Sequence, residues 1–292
     1  MTRFLPGLLL GALLALPVFA QVAVRDDRGA VRTLAAPPQR IVSLLPSITE
    51  TVCALDACGR LVGVDRYSNQ PAAVLALPRL GGQDDTSIER VVVLKPDVVL
   101  LAKSSRVIDR LEALGLNVLV FESQTHADVR ASLERIAALL GVPERGPQVW
   151  AGIEARIDAA AQRVPVALRG AKVYFEVATA PYAAGEASFI GETLIRLGLG
   201  NVVPAALGPF PKLNPEFVVR AQPDVVIAEE RAVRGMAARP GWASLRALRA
   251  SRACALPSAR YELLIRPGPR LGEAADLLVD CLAALPAQEL AR

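Results

Sequence analysis

Two stretches of the chain share one register. The first is Ser87-Ile88-Glu89-Arg90-Val91-Val92-Val93-Leu94-Lys95-Pro96-Asp97-Val98-Val99. The second is Asn214-Pro215-Glu216-Phe217-Val218-Val219-Arg220-Ala221-Gln222-Pro223-Asp224-Val225-Val226. Each opens on a residue able to cap a helix, Ser or Asn. A Glu follows, then one or two helical turns, then Pro-Asp-Val-Val entering a strand. The Glu stands seven residues before the Pro in both. Chance could supply Val-Val twice but hardly the whole register. The duplication predicts two lobes of similar design, each showing a Glu at the same place on its surface.

Outward from the first copy, short apolar runs alternate with short helical patterns. Val22 to Leu34 alternates around Asp26-Asp27-Arg28-Gly29, a hairpin signature. Arg40 to Leu45 reads as a buried strand broken by Pro46-Ser47, with a helix from about Ile48 to Leu55 closed by Cys58-Gly59. Strands are expected at 61–64, 98–102 and 118–121, and helices at 88–94 and 107–114. An Ala-rich stretch without a strand, 143 to 163, then reads as one long helix ending near Pro165. The alternation resumes with strands at 173–177 and 225–228 and helices at 190–197, 215–220 and 272–285. The expected fold is therefore α/β: two Rossmann-like lobes with mainly parallel sheets joined by one long backbone helix. The boundaries fall at 21–142 for the N-terminal lobe, 143–165 for the linking helix and 166–292 for the C-terminal lobe.

Residues 1–20 carry Arg3, a long apolar run and Val18-Phe19-Ala20. That is the pattern of a signal peptide cleaved after about Ala20, and it predicts an exported protein. The chain has 292 residues, and 52% hydrophobic content supports a large core. A net charge of +4 without a Lys or Arg run argues against nucleic acid as a partner. Four cysteines suit an oxidising compartment. The expected pairs are Cys53–Cys58 and Cys254–Cys281, although four cysteines allow three pairings and sequence alone does not choose. Zinc at Cys53 and Cys58 is the weaker reading, because neither knuckle spacing nor a nearby His is present.

With these residues in view, the chain resembles the class III periplasmic binding proteins. These serve ABC importers of cobalamin, haem and ferric siderophores. The pieces that carry the resemblance are Arg40 to Glu50 (RIVSLLPSITE), Val62-Gly63-Val64, Tyr67-Ser68, Glu89 with Leu94-Lys95-Pro96-Asp97, and Pro223-Asp224. The resemblance implies a ligand held in the cleft between rigidly joined lobes, with an ABC permease and a metal-chelate small molecule as partners. It implies a monomer with no catalysis and no resident cofactor or metal. The order is most similar to the cobalamin-binding branch. By that likeness Tyr67, Tyr182 and Phe210 line the cleft, Arg266 makes a polar contact, and Glu89 and Glu216 dock onto permease arginines. Gln83 and Lys103 stand where aromatic cleft residues are expected, so a corrinoid variant or a more polar ligand is open. Arg66, Lys103, Arg106, Arg260 and Arg266 keep ferric chelates as the alternative.

Bland readings stand beside these. Glu89 and Glu216 also suit helix N-termini through the dipole. Tyr67, Tyr182 and Phe210 could be core. Arg266 could cap the last helix or pair with Glu262 or Glu273. Trp150 should pack on the long helix, and Trp242 has no assigned role. His126, the single histidine, reads as a solvated loop residue. A hydrolase is the remaining rival, but no Gly-x-Ser-x-Gly turn and no phosphate loop occurs.

Overall fold

A computed structural model describes residues 21–179 and 181–286. The signal-peptide reading of residues 1–20 lies outside the described residues. The hairpin forms as β1 (Val22–Arg25) and β2 (Val31–Leu34), antiparallel about Gly29 at φ 84°. The Asp26 carboxylate accepts the N–H groups of Arg28 and Ala30 within the turn. It also accepts from Val120, which fastens the hairpin to the first lobe.

The first lobe has β3 (Ile41–Ser43), β4 (Leu61–Val64), β5 (Val98–Ala102) and β6 (Val118–Phe121). They form a parallel sheet in the order β4-β3-β5-β6. Its helices are α1 (Pro46–Ala54), α2 (Ile88–Val93), α3 (Ile108–Ala113) and α4 (His126–Leu140). Apart from Ser43 the strands carry no polar side chain, because helices cover both faces. Ile41, Val98, Leu100, Leu119 and Phe121 enter one core, while Val42, Val99, Leu101, Val118 and Val120 enter the other.

Helix α5 (Arg145–Gln162) leads into the second lobe. That lobe has β7 (Lys172–Ala178), β8 (Tyr182–Ala183), β9 (Gly200–Asn201), β10 (Val225–Glu229) and β11 (Ala253–Leu256). The order is β11-β10-β7-β8; β9 also pairs with β7, and only β8 is antiparallel. The helices are α6 (Phe189–Arg196), α7 (Pro215–Ala221), α8 (Glu230–Met236), α9 (Arg246–Arg249), α10 (Ser258–Leu264) and α11 (Leu271–Ala283). Trp150, Ile153, Ile157 and Ala160 of α5 share one core with Val129 and Leu133 of α4 and with the second sheet. A single core crossing between lobes makes α5 a stiff connection rather than a tether.

The internal repeat is structural. Lys95 and Gln222 both take φ 45°, each just before its Pro. The Asp97 carboxylate accepts the N–H groups of Gln39 and Arg40 ahead of β3, and Asp224 accepts that of Lys172 opening β7. The same tetrapeptide thus starts a neighbouring strand in each lobe.

Several expected boundaries move. Pro46 lies at the first turn of α1 instead of breaking before it, because its missing N–H has no helical partner at that position. That helix ends at Ala54, and Cys58–Arg60 is a separate 3₁₀ turn. The long helix is shorter than 143–165, stopping ahead of Pro165 because the residue before a proline resists helical ψ. Helix α4 was not expected. Thr125 and Asp128 form a capping box at its start, and Gly141 at φ 78° closes it.

The candidate ligand cleft

In open parallel sheets, ligands sit beyond the carboxyl ends of the strands. The lobes meet there, through the segments that leave β3, β4 and β6. Ser47 after β3 lies against Gly268, where an added Cβ would stand 3.3 Å from the Ser47 Cβ. Glycine permits that approach.

One side of the junction is polar. Arg266 donates to Glu50 at 2.9 Å and to Asn69 at 2.8 Å through Nη1. Through Nη2 it reaches the Tyr67 carbonyl at 3.1 Å and Glu262 at 2.6 Å. Asn69 in turn donates to Glu262 at 3.0 Å. The Glu50 and Arg266 side chains are 3% and 10% exposed. Burial raises the Glu50 carboxyl above the ordinary range, with Arg266 pulling it back. Arg266 therefore pairs with Glu262, as one reading allowed, and not with Glu273. Its donors are occupied by groups of both lobes.

The other side joins α4 to α6. The Phe189 N–H reaches the Gln124 carbonyl at 2.6 Å, and the His126 N–H reaches Glu192 at 2.5 Å. The expectation of a solvated His126 is wrong. Its ring is buried at the start of α4, with Nε2 2.8 Å from the Thr193 hydroxyl and its edge on Trp150 at 5.9 Å. Burial, helped by the Arg196 charge, pushes it down to about 4.

The first-lobe wall brings Tyr67 and Gln83 together. Tyr67 is 58% exposed, and its ring covers Gly82. Ser104 donates to the Gln83 side chain at 3.0 Å. Each cation of this wall has a carboxylate partner. Lys103 meets Glu122 at 3.1 Å, Arg106 meets Asp84 at 3.0 Å, and Arg66 pairs with Asp85.

In the second lobe, β8 places Tyr182 beside the segment that carries Phe210, through the Ala183 N–H to the Pro211 carbonyl at 3.1 Å. Tyr182 is half-exposed, whereas Phe210 is partly buried against Phe189, ring centroids 5.8 Å apart. A pocket of 230 Å3 opens at the ends of β7 and β10, lined by Glu176, Thr179, Glu229 and Tyr261. Arg239 grips Glu176 from behind and lies 4.5 Å over Trp242, which is fully buried. The Glu229 carboxylate accepts from the Ser258 hydroxyl. Sequence reasoning missed Glu229. The signal was available: a carboxylate ends the otherwise apolar run Val225-Val226-Ile227-Ala228.

Glu89 and Glu216 each take the second position of a short helix, behind the caps Ser87 and Asn214. Both are exposed. Disulfides join Cys53 to Cys58 and Cys254 to Cys281. Among the described residues there is no cluster of metal-ligating side chains and no helix long and apolar enough to cross a membrane.

The profile described as periplasmic binding protein matches residues 41–259. The chain belongs to that family. An uncharacterized ABC transporter substrate-binding lipoprotein of Bacillus subtilis is 26% identical, covering 89% of this chain and 85% of its own. A vitamin B12-binding protein of Vibrio cholerae is 25% identical, covering 82% and 87%. Among solved structures, the apo periplasmic heme-binding protein of Roseiflexus superposes with a TM-score of 0.70. It is 28% identical and covers 84% of this chain and 97% of its own. The family and these relatives are binding proteins, not enzymes.

Proposed function

We propose that this chain is the exported, periplasmic solute-binding component of an ABC importer, and that it holds a cobalamin-like corrinoid between its lobes. One observation carries the choice of ligand: the cations of the first-lobe wall are paired with carboxylates, and the second-lobe pocket shows acceptors. Lys103, Arg66 and Arg106 are each neutralised within their own lobe. The second-lobe pocket offers the Glu229 carboxylate and the Thr179 hydroxyl. A corrin ring edged with neutral amides donates to such a surface and stacks on tyrosine faces. Haem propionates and polycarboxylate chelates need cations there.

The runner-up is haem, favoured by two accessible phenols, Tyr67 and Tyr182, either of which can ligate iron. Glu89 and Glu216 then meet basic groups of the permease. Calorimetric titration of the mature protein with cyanocobalamin, haemin and a ferric siderophore tests the reading. Sub-micromolar cyanocobalamin binding with little heat from the others supports it. Tight haemin binding with none for cyanocobalamin replaces the ligand and leaves the transport role standing.

A further inference from the structure

Beside the Arg266–Glu50 pair, a cavity of 420 Å3 opens between the lobes. Helix α1 supplies Glu50 and Ala54, and the loop after β4 adds Pro71. The second lobe closes the cavity with Pro269, Arg270 and Glu273. Glu50 and Ala54 lie about one and two turns down α1 from Ser47. The cavity thus follows the helix away from the lobe contact at Ser47.

Its charges do not balance. Arg266 and Arg270 both approach Glu50 through Oε1, at 2.9 and 3.8 Å. Oε2 is buried and, among the described residues, has no hydrogen-bond partner. The side-chain hydrogen bonds of Arg270 go to Glu273, and Arg266 also serves Glu262. Arg156 comes within 3.8 Å of Glu273 but lies closer to Asp276, at 2.6 Å. Glu50, Glu262 and Glu273 therefore share the guanidinium groups of Arg266 and Arg270, and one carboxylate is in excess. Burial raises the Glu50 carboxyl further than these cations lower it, as expected where counter-charge falls short.

We propose that this cavity is a second binding site, separate from the cleft, and that it takes a small aliphatic amine. The ammonium meets the Glu50 carboxylate at its unpartnered oxygen, and the alkyl chain lies among Pro71, Pro269 and Ala54. A primary ammonium brings donors and one positive charge, matching both the orphan oxygen and the excess carboxylate. An anion would meet like charge, and an apolar molecule would leave Oε2 unsatisfied. The lining comes from both lobes, so an occupant braces their junction whatever the cleft holds.

The test is ligand-observed NMR on the mature protein near neutral pH, with n-butylamine as the probe and n-butanol as its uncharged analogue. The amine should bind saturably with a Kd on the order of 1 mM, the scale for so small a ligand. The alcohol should bind about tenfold more weakly or not at all, because it lacks the charge. Ala54→Phe fills the cavity from α1 and leaves the Glu50–Arg266 pair untouched. It should abolish the amine signal while the melting curve stays in place. Glu273→Gln removes the excess charge at a half-buried position and should weaken the amine about tenfold. If Ala54→Phe keeps the signal, the amine binds elsewhere and the site is overturned. Equal binding of alcohol and amine, or no saturable amine binding, overturns it as well.

Discussion

Arg266 of the second lobe donates to the Glu50 carboxylate of the first at 2.9 Å, where neither side chain has more than a tenth of its surface in water. Removing Arg266 leaves the buried Glu50 carboxylate with the longer contact to Arg270 at 3.8 Å. The Glu50 Oε2 atom is already buried without a protein partner. Arg266→Ala should therefore cost about 3 kcal/mol of unfolding free energy, at the lower end for broken buried pairs. Because Arg266 also holds Asn69 and the Tyr67 carbonyl, ligand affinity should fall with it. Glu50→Gln with Arg266→Met, which removes both charges, should recover most of the stability. Urea unfolding of the three variants checks this, and a loss below 1 kcal/mol for Arg266→Ala refutes the clasp.

His126 predicts a pH dependence. Its folded value of about 4 lies below the ordinary 6.5, so the folded state favours the neutral ring and the unfolded chain binds the extra proton between those values. Stability attributable to His126 is complete above about pH 6.5 and declines as pH falls toward 4. The full span is about 3 kcal/mol at 1.36 kcal/mol per unit. The groups facing it are Glu192, Thr193 and the Arg196 charge from α6, with Trp150 from α5. Buried Glu50 and Asp65 and half-buried Glu192 are shifted upward and act in the opposite sense at low pH. The readout is therefore the difference between wild type and His126→Gln. That difference should shrink as pH drops from 6.5 to 4, and a flat difference would contradict the assignment.

Much of the fold was legible because burial on both faces writes strands as unbroken apolar runs. Val98 to Ala102 and Val225 to Ala228 are such runs, and the repeated Pro-Asp marks where each begins. Helix α4 was hidden because its apolar positions are mixed with Arg and Glu and its cap, Thr125, lies in what reads as a polar loop. The site was only half legible. Tyr67 and Tyr182 are exposed near strand ends, but what surrounds them depends on contacts between distant segments. The Arg266–Glu50 pair spans 216 positions and His126–Thr193 spans 67, and neither leaves a local pattern.

The two disulfides should contribute unequally. Cys254 is fully buried at β11 and reaches α11 across 27 residues, while Cys53 and Cys58 are five apart at the end of α1. Loop-closure entropy in the unfolded chain gives about 3.5 kcal/mol for the longer loop and about 2 for the shorter. Paired Cys→Ala variants, unfolded in urea at neutral pH, should rank in that order. The longer link should also leave a larger defect, since Cys254 belongs to the core. Equal losses would mean that the unfolded state is already compact around these segments.

The aromatic candidates should separate into two kinds. Tyr67 is 58% exposed, with its ring over Gly82 and the Arg66 guanidinium 5.9 Å from its centre. Tyr67→Ala should change stability by less than about 0.5 kcal/mol, the usual range for a surface substitution. It should still weaken cyanocobalamin about tenfold, because a lost aromatic face removes contact area from the ligand alone. Phe210 instead packs on Phe189 at the margin of the core. Phe210→Ala should lower stability by about 2 kcal/mol through the void it leaves, and affinity should follow only in proportion to the fraction folded. Glu229→Lys completes the set. It places a cation in the acceptor-rich pocket, so cyanocobalamin binding should drop by a factor of ten or more while haemin binding holds or rises. Calorimetry on the three variants, with melting curves alongside, distinguishes the cases. If Glu229→Lys leaves cyanocobalamin affinity intact, the pocket at the ends of β7 and β10 does not touch the ligand, and the case for an amide-edged ring is withdrawn.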